Sequence, residues 1–434
     1  MNLYVGIDLG TSGCRAIAID DQGDISASCS VALPAPNRNG ADVEQDPEIW
    51  WRATRAALGA LVAELPPTTR VAALAVDGTS GTVLLTDKDG DPLGPALMYH
   101  DSRSRSQALR IATYAPAASG AHGATSSLAK VLWLLEHTDV QKACYALHQA
   151  DWISGRLGGS FGYTDYNNAL KLGYDVERCA WPDWMKKLPL RSDLLPVVLV
   201  PGDRIGSVAA DVATELGLPT DAWIIAGTTD SVAAFRATGA NRTGDAVTSL
   251  GSTLVLKVLS DQPIFAPEFG VYSHRFDNRW LAGGASNTGG AILKTYFTEE
   301  QMAALSERLR LTEPTNLDYY PLPATGERFP VADPDLAPRV TPRPTNDVVF
   351  FQGLLEGIAA IEKEGYQLLS RLGAPYPATL RSVGGGAKNR QWTEIRRRLL
   401  DVPFVAALHQ EAAYGTALLA RDGYRSRRRQ PMTN

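Results

Sequence analysis

One phrase occurs twice in this chain. Leu3 to Ile19 runs as an apolar strand, a turn Asp8-Leu9-Gly10-Thr11-Ser12-Gly13 and a second strand. Val247-Thr248-Ser249-Leu250-Gly251-Ser252-Thr253-Leu254-Val255-Leu256 repeats strand, small polar turn and strand, with Gly251 in the place of Gly10. Two such hairpins in one chain imply two structurally similar halves. A second correspondence agrees: Ala73–Val76 opens into Asp77-Gly78-Thr79-Ser80-Gly81, and Trp280–Ala282 opens into a Gly/Ser/Thr stretch from Gly283 to Gly290, each reading as a strand entering a loop. Between them, Pro47–Leu65 carries Trp50, Trp51, Ala57, Leu58, Leu61 and Leu65 near helical spacing, and Val348–Leu372 repeats that pattern. Strands alternating with helices predict an α/β protein. With 434 residues, 44% hydrophobic and 21% charged, there is length for more than one core. Leu311–Asn346 is proline-rich and reads as an extended excursion over the second half.

Several function classes drop out. A formal net charge of -5 argues against a dedicated nucleic-acid surface. The longest apolar runs, Trp223–Ala226 and Leu254–Leu259, fall far short of the roughly 20 residues a membrane span needs. The chain enters its first strand at Leu3 without a signal or transit segment, which predicts a cytoplasmic protein. Cys14, Cys29, Cys144 and Cys179 lie far apart and read as buried reduced thiols, and the six histidines show no ligand spacing, so transition-metal chemistry is not expected. Arg425, Arg427, Arg428 and Arg429 read as a solvated terminus rather than a binding patch. The expected partner is a small molecule, and the oligomeric state is open, a monomer included.

The first hairpin suits a triphosphate and its metal. Gly10, Thr11, Ser12 and Gly13 offer backbone N–H groups, and the Thr11 and Ser12 hydroxyls can donate to phosphate oxygens. Asp8 can hold Mg²⁺ directly or through water, or can simply cap a tight turn. Gly251, Ser252 and Thr253 form a second phosphate-type turn, and Gly384-Gly385-Gly386-Ala387-Lys388-Asn389 a third glycine-rich approach, flat enough for adenine or ribose. The phrase Gly289-Gly290-Ala291-Ile292-Leu293-Lys294-Thr295 lacks the glycine that a P-loop places before lysine, and Gly6-x-x-x-Gly10-x-x-Gly13 is not a dinucleotide fingerprint. Asp230 follows the strand Trp223–Ala226 and the turn Gly227-Thr228-Thr229. It can serve as a general base or as a helix N-cap, and the local sequence does not separate the two.

Taken in order, Asp8-Leu9-Gly10-Thr11-Ser12, Asp77-Gly78-Thr79-Ser80-Gly81, Lys130-Val131-Leu132-Trp133-Leu134, Ala150-Asp151-Trp152-Ile153, Thr164–Ala169, Gly227–Asp230, Gly326-Glu327-Arg328 and Gly384–Asn389 resemble the FGGY carbohydrate kinases, within the actin, hexokinase and Hsp70-type ATPase superfamily. The resemblance spans nearly the whole chain. It implies two actin-like, ribonuclease H-like α/β domains flanking a catalytic cleft: residues 1–237 plus 411–434 for sugar and phosphate, and residues 238–410 for nucleotide. It also implies ATP and Mg²⁺ as cofactors, Asp230 as the catalytic base, Asp8 as the metal-linked aspartate beside the sugar, Thr11 and Ser12 in the phosphate hairpin, Gly251–Thr253 as the second phosphate turn, and Gly385, Gly386 and Asn389 beside adenosine. Among subgroups the closest likeness is to short cyanobacterial and plant-type D-ribulose kinases, through Asp165–Tyr174, Asp318–Pro323 and Gly326–Pro330. In that group the serine at the position of Ser80 holds the ketose, so D-ribulose is expected over D-xylulose or another sugar or polyol. His100-Asp101-Ser102-Arg103 departs from the subgroup and is similar to an Asn-Asp-Gly-Arg phrase that lies near the sugar in larger members; Asp101 and Arg103 either reach the pocket or form a salt-bridged helix start. Two other classes, an actin-like ATPase and a sugar-sensing pseudokinase, are disfavoured by the short tail after Gly415 and by the retention of Asp8, Thr11 and Asp230.

Overall fold

The structure is a computed structural model and describes residues 1–139 and 141–428. Two compact units emerge: Met1–Ala237 with the stretch from Glu411 onward, and Thr238–Gln410. In the first, β1 (Asn2–Leu9), β2 (Gly13–Ile19), β3 (Ile25–Ala32), β4 (Arg70–Gly78), β5 (Arg204–Ser207) and β6 (Trp223–Thr229) form a sheet ordered β5-β6-β4-β1-β2-β3. β1 pairs antiparallel with β2 and parallel with β4, which pairs parallel with β6. Central parallel strands are covered on both faces and therefore read as continuous apolar runs, as β1 and β4 do.

The two faces differ in what covers them. Leu3, Val5, Ile7 and Leu9 join Trp50, Trp51, Leu58 and Leu61 of the helix Pro47–Glu64, which starts where the Asp46 side chain accepts from Glu48 N. On the other face Tyr4, Ala73, Ala75 and Ile225 meet Ala413, Tyr414, Ala417 and Ala420 of the C-terminal helix Ala412–Arg428. That helix lies directly on β1: a Cβ at Gly6 would sit 2.0 Å from the Ala413 carbonyl oxygen and 2.2 Å from Ala417 N. A smaller five-stranded sheet, Asn37–Asn39, Asp42–Gln45, Val83–Thr86, Ala96–Leu97 and Tyr145–His148, carries its own apolar cluster.

In the second unit, β7 (Asp245–Leu250), β8 (Leu254–Ser260), β9 (Tyr272–Phe276), β10 (Arg279–Ser286) and β11 (Thr379–Val383) are ordered β9-β10-β8-β7-β11. The run β10-β8-β7-β11 repeats β3-β2-β1-β4 in order and direction: two antiparallel pairs, then a parallel one. The helix Asp347–Arg371, capped by Asn346, precedes β11 as Pro47–Glu64 precedes β4. The protein is a two-domain α/β fold of repeated halves, as the doubled hairpin implies.

Three stretches expected as turns or loops belong to strands. Gly227, Thr228 and Thr229 complete β6, where a Cβ at Gly227 would lie 1.7 Å from the Val76 carbonyl oxygen at a break in the register with β4. Gly283 and Gly284 lie inside β10, against the Leu256 carbonyl oxygen and the Phe329 ring. Asp77 and Gly78 end β4. Leu311–Asn346 contains no helix or strand of its own, only the bridges Tyr320 to Arg339 and Glu327 to Asp333. Of the cysteines, all unpaired, only Cys14 is buried and Cys179 is exposed. Arg425, on the C-terminal helix, is not simply solvated: it pairs at 2.6 Å with Asp21 in the turn after β2, while Arg429 and the side chains of Arg427 and Arg428 lie outside the described residues. Among the described residues no helix is long and apolar enough to cross a membrane.

Because Gly6 is where the C-terminal helix meets β1, Gly6→Ala should lower stability by about 3 kcal/mol. Thermal unfolding of the purified variant checks this; an unchanged Tm would mean that the helix does not pack where the structure puts it.

Candidate active site

Three parallel strands of the first unit end together, and register fixes what stands at their carboxyl ends. Asp8 of β1 is level with Asp77 of β4, which is level with Thr228 of β6; one step on, Leu9, Gly78 and Thr229 align. Asp230 follows as the first residue of the helix Asp230–Ala237, its Oδ1 accepting from Ser231 N at 2.6 Å. Carboxyl ends of parallel strands are where open α/β sheets bind ligands.

These carboxylates are electrostatically coupled. Burial, followed by the charge of Asp230, raises Asp8 to about 6, against the opposing pull of an Asp77 hydrogen bond and of Arg15. Arg15 Nη1 lies 4.0 Å from Asp8 Oδ2 and 2.9 Å from Glu411 Oε2. Asp77 is wholly buried, and burial followed by the Asp8 charge pushes it well above the usual carboxylate range. The Thr416 hydroxyl, from the C-terminal helix, donates to Asp77 Oδ2, while Oδ1 receives no donor. Burial and the neighbouring Asp8 charge thus both favour the neutral form of Asp77. An acidic cluster of this kind fits a divalent cation. Among the described residues no group of three or more His, Cys, Asp or Glu could by itself hold a metal. Mg²⁺ nevertheless needs only one or two carboxylates when phosphate oxygens and water complete its shell. The adjoining hairpin is fixed by Gly10 N donating to Gly13 O at 3.0 Å and Leu33 N to Ser12 O at 2.9 Å, with Thr11 half-buried and Ser12 exposed.

The second unit gathers the other loops. Gly251 N donates to Thr253 O at 3.2 Å, and the carbonyls of Gly251 and Ser252 accept from Gly290 N and Ala291 N at 2.8 and 3.1 Å. Gly289, at φ +146°, admits no Cβ, which would stand 2.6 Å from the Ser252 carbonyl oxygen. Gly384 and Gly386 press on Leu250, the residue before Gly251, so the second and third glycine loops are neighbours. A Cβ at Gly385 would meet nothing within 4 Å, so this glycine leaves an open face. The Asn389 side chain is committed to this frame: Oδ1 caps the helix Arg390–Leu400 through Trp392 N, and Nδ2 donates to Ser306 Oγ at 2.8 Å.

Comparison with known proteins decides the family. Residues 3–236 match the N-terminal domain of the FGGY family of carbohydrate kinases, and residues 246–421 match its C-terminal domain. The chain belongs to the FGGY family. It is similar to the xylulose kinase of Bacillus subtilis strain 168, 26% identical over 98% of this chain and 88% of that protein, and to that of Escherichia coli K12, 26% identical over 92% and 84%. In fold it resembles a protein from Brucella ovis named "xyloylose kinase", with TM-score 0.87 at 23% identity over 98% of this chain and 91% of that one. It resembles equally the ADP-bound glycerol kinase of Plasmodium falciparum, with TM-score 0.87 at 18% identity over 98% and 90%. The protein is thus a sugar kinase, a phosphotransferase acting on an alcohol group. The two curated relatives named above are xylulose kinases, and they do not support the narrower likeness to D-ribulose kinases.

Within this FGGY kinase, His100-Asp101-Ser102-Arg103 forms a salt-bridged lead into the helix Arg105–Ala112, Arg103 pairing with Asp101 at 2.8 Å, but Asp101 is buried rather than at the surface. Asp101 is fully buried and accepts from Val43 N at 2.6 Å and Arg103 Nε at 2.9 Å. Arg103 bonds Glu44 at 3.0 Å and lies 4.8 Å over the Trp133 ring. The pair also clasps the strand Asp42–Gln45. Asp77, Thr416 and Gly289-Gly290 were not among the expected site residues. Asp77 lies within the Asp-Gly-Thr-Ser-Gly phrase, but only its register with Asp8 shows what it does.

The upward shift of Asp77 has a pH consequence. A carboxyl whose folded pKa lies above its unfolded value stabilises fully below the unfolded pKa of about 4, and the contribution is lost as pH rises toward the folded pKa. Asp77→Asn keeps the shape and has no carboxyl proton to lose. Its stability relative to the parent should therefore rise from pH 5 to pH 8, by at most about 1.4 kcal/mol per pH unit. Urea unfolding at several pH values reads the slope; a pH-independent difference would overturn the upward shift of Asp77.

Proposed function

We propose that this protein phosphorylates a ketopentose with ATP, with D-xylulose the first candidate, and that Asp230 is the general base. The observation that carries the reading is the alignment of Asp8, Asp77 and Thr228 at three adjacent strand ends with Asp230 two residues beyond Thr228. In this reading Asp8 holds Mg²⁺ through its carboxylate, and Thr11 and Ser12 donate to phosphate. Gly251–Thr253 offers backbone N–H groups to phosphate, and Gly385, Gly386 and the backbone at Asn389 face adenosine. Bound Mg-ATP supplies the transferable phosphoryl group and neutralises charge on it. Asp230 accepts the proton of the acceptor hydroxyl, and its neighbour Asp8 discourages that proton from returning. Ser80 donates to a sugar oxygen. The xylulose kinase relatives support D-xylulose; a second reading, D-ribulose, is supported by the Ser80 turn, in which the sequence resembles D-ribulose kinases.

ATP consumption measured against D-xylulose, D-ribulose, other ketoses, aldoses and polyols should show turnover only with a ketopentose. Asp230→Ala should lower kcat by about 10²- to 10⁴-fold with ATP affinity retained. Turnover at the parental rate in that variant would exclude Asp230 as base, and sugar-independent hydrolysis in the parent would point to an ATPase instead.

A further inference from the structure

The turn Thr79–Thr82 is held from outside by side chains that spend their hydrogen bonds on its backbone. It closes through Thr82 N donating to Thr79 O at 3.2 Å, with Gly81 at φ +94°, the left-handed corner glycine supplies. Gln149 Oε1 accepts from Thr79 N at 3.1 Å and from Thr79 Oγ1 at 2.9 Å. Lys171 Nζ donates to the Ser80 carbonyl at 3.4 Å. Lys130, on the helix Ser127–His137, is completely buried, and its Nζ donates to Gly81 O at 2.8 Å and to Met98 O at 2.6 Å. Lys130 therefore ties this turn to the segment that leads into His100. On those two segments Ser80 Oγ and His100 Nδ1 are buried polar atoms without a partner among the described residues.

A buried ammonium is costly, and an apolar side chain would fill the same volume without that cost. Lysine alone combines a four-carbon stem with three donors able to reach two carbonyls at once. We propose that Lys130 is a positioning residue for sugar recognition: it fastens the Ser80–Gly81 corner to Met98, so that the Ser80 hydroxyl is presented in a fixed place to a sugar oxygen, with Lys171 as the weaker second fastening. The helix carrying Lys130 begins at Ser126, whose side chain accepts from Ala129 N at 3.2 Å, so the lysine's own base is fixed. Preorganised donors avoid the ordering cost at binding, which places the effect on sugar affinity rather than on nucleotide affinity.

The inference rests on the ketopentose reading of the site, and its test separates the two. In Lys130→Met, sugar KM at saturating ATP should rise about tenfold or more while the Kd for ATP without sugar stays within about twofold; Lys171→Met should raise sugar KM about threefold. Hydrogen exchange of the Thr79–Thr82 amides should quicken in both variants whether or not sugar is present. A merely structural lysine would lower kcat with the folded fraction and leave KM alone, and that result overturns the proposal, as does unchanged exchange in the turn. Should Lys130→Met not fold, an unchanged KM in Lys171→Met overturns it. If the parent consumes ATP with no sugar, the ketopentose reading falls, and exchange in the turn still reports whether the lysines fasten it.

Discussion

The buried carboxyl of Asp77 is the constraint on which the first unit depends. It stands between Asp8 on the neighbouring strand and Thr416 on the C-terminal helix, and the second of these contacts joins residues 339 positions apart close to the point where β1 ends. A charged carboxylate there, fully buried, would face the charges of Asp8 and Asp230, so its neutral form is favoured. The helix that delivers Thr416 can lie so close only because Gly6 on β1 and Gly415 on the helix itself have no Cβ; one at Gly415 would stand 1.9 Å from the Ala233 carbonyl oxygen. The chain's return from the second unit to the first is thus tied to the electrostatics of the site.

Much of the architecture was legible in the sequence because periodicity and turn chemistry are local. The two hairpins, the Pro47 and Asp347 helices and the α/β alternation all follow from spacing within stretches no longer than one helix or hairpin. Glycine marked the limit. At Gly10 and Gly251 it does close a small turn, but at Gly227, Gly283 and Gly284 it makes room for a neighbouring carbonyl or ring inside a strand. A single sequence gives these the same letter, since close approach depends on a partner far along the chain.

The site was legible to the same depth. Asp8 and its turn announced their chemistry locally, whereas the choice of Asp230 came from the family resemblance. Register was not available: Asp77 becomes a neighbour of Asp8 only once β1 and β4 pair in parallel across an intervening helix. Asp101 and Arg103 show the converse. Their types suggest a ligand site, yet burial spends them on Val43 N and Glu44, where a guanidinium over Trp133 gains most from being dry.

The two units share a strand order and differ in charge. Where the first gathers acids at its strand ends, the second buries a matched pair: Arg396 bonds both oxygens of Glu362 at 2.6 and 2.7 Å, and both side chains are fully buried. Thr248 on β7 donates to Glu362, and Arg396 also reaches Ser382 on β11 at 2.7 Å. A buried pair contributes little net stability over apolar packing, though losing one partner is costly. Its use here is geometric, because β7 runs into Gly251 and β11 into Gly384. One neutral network thus sets the bases of both glycine loops. The acids of the first unit, by contrast, favour a cation.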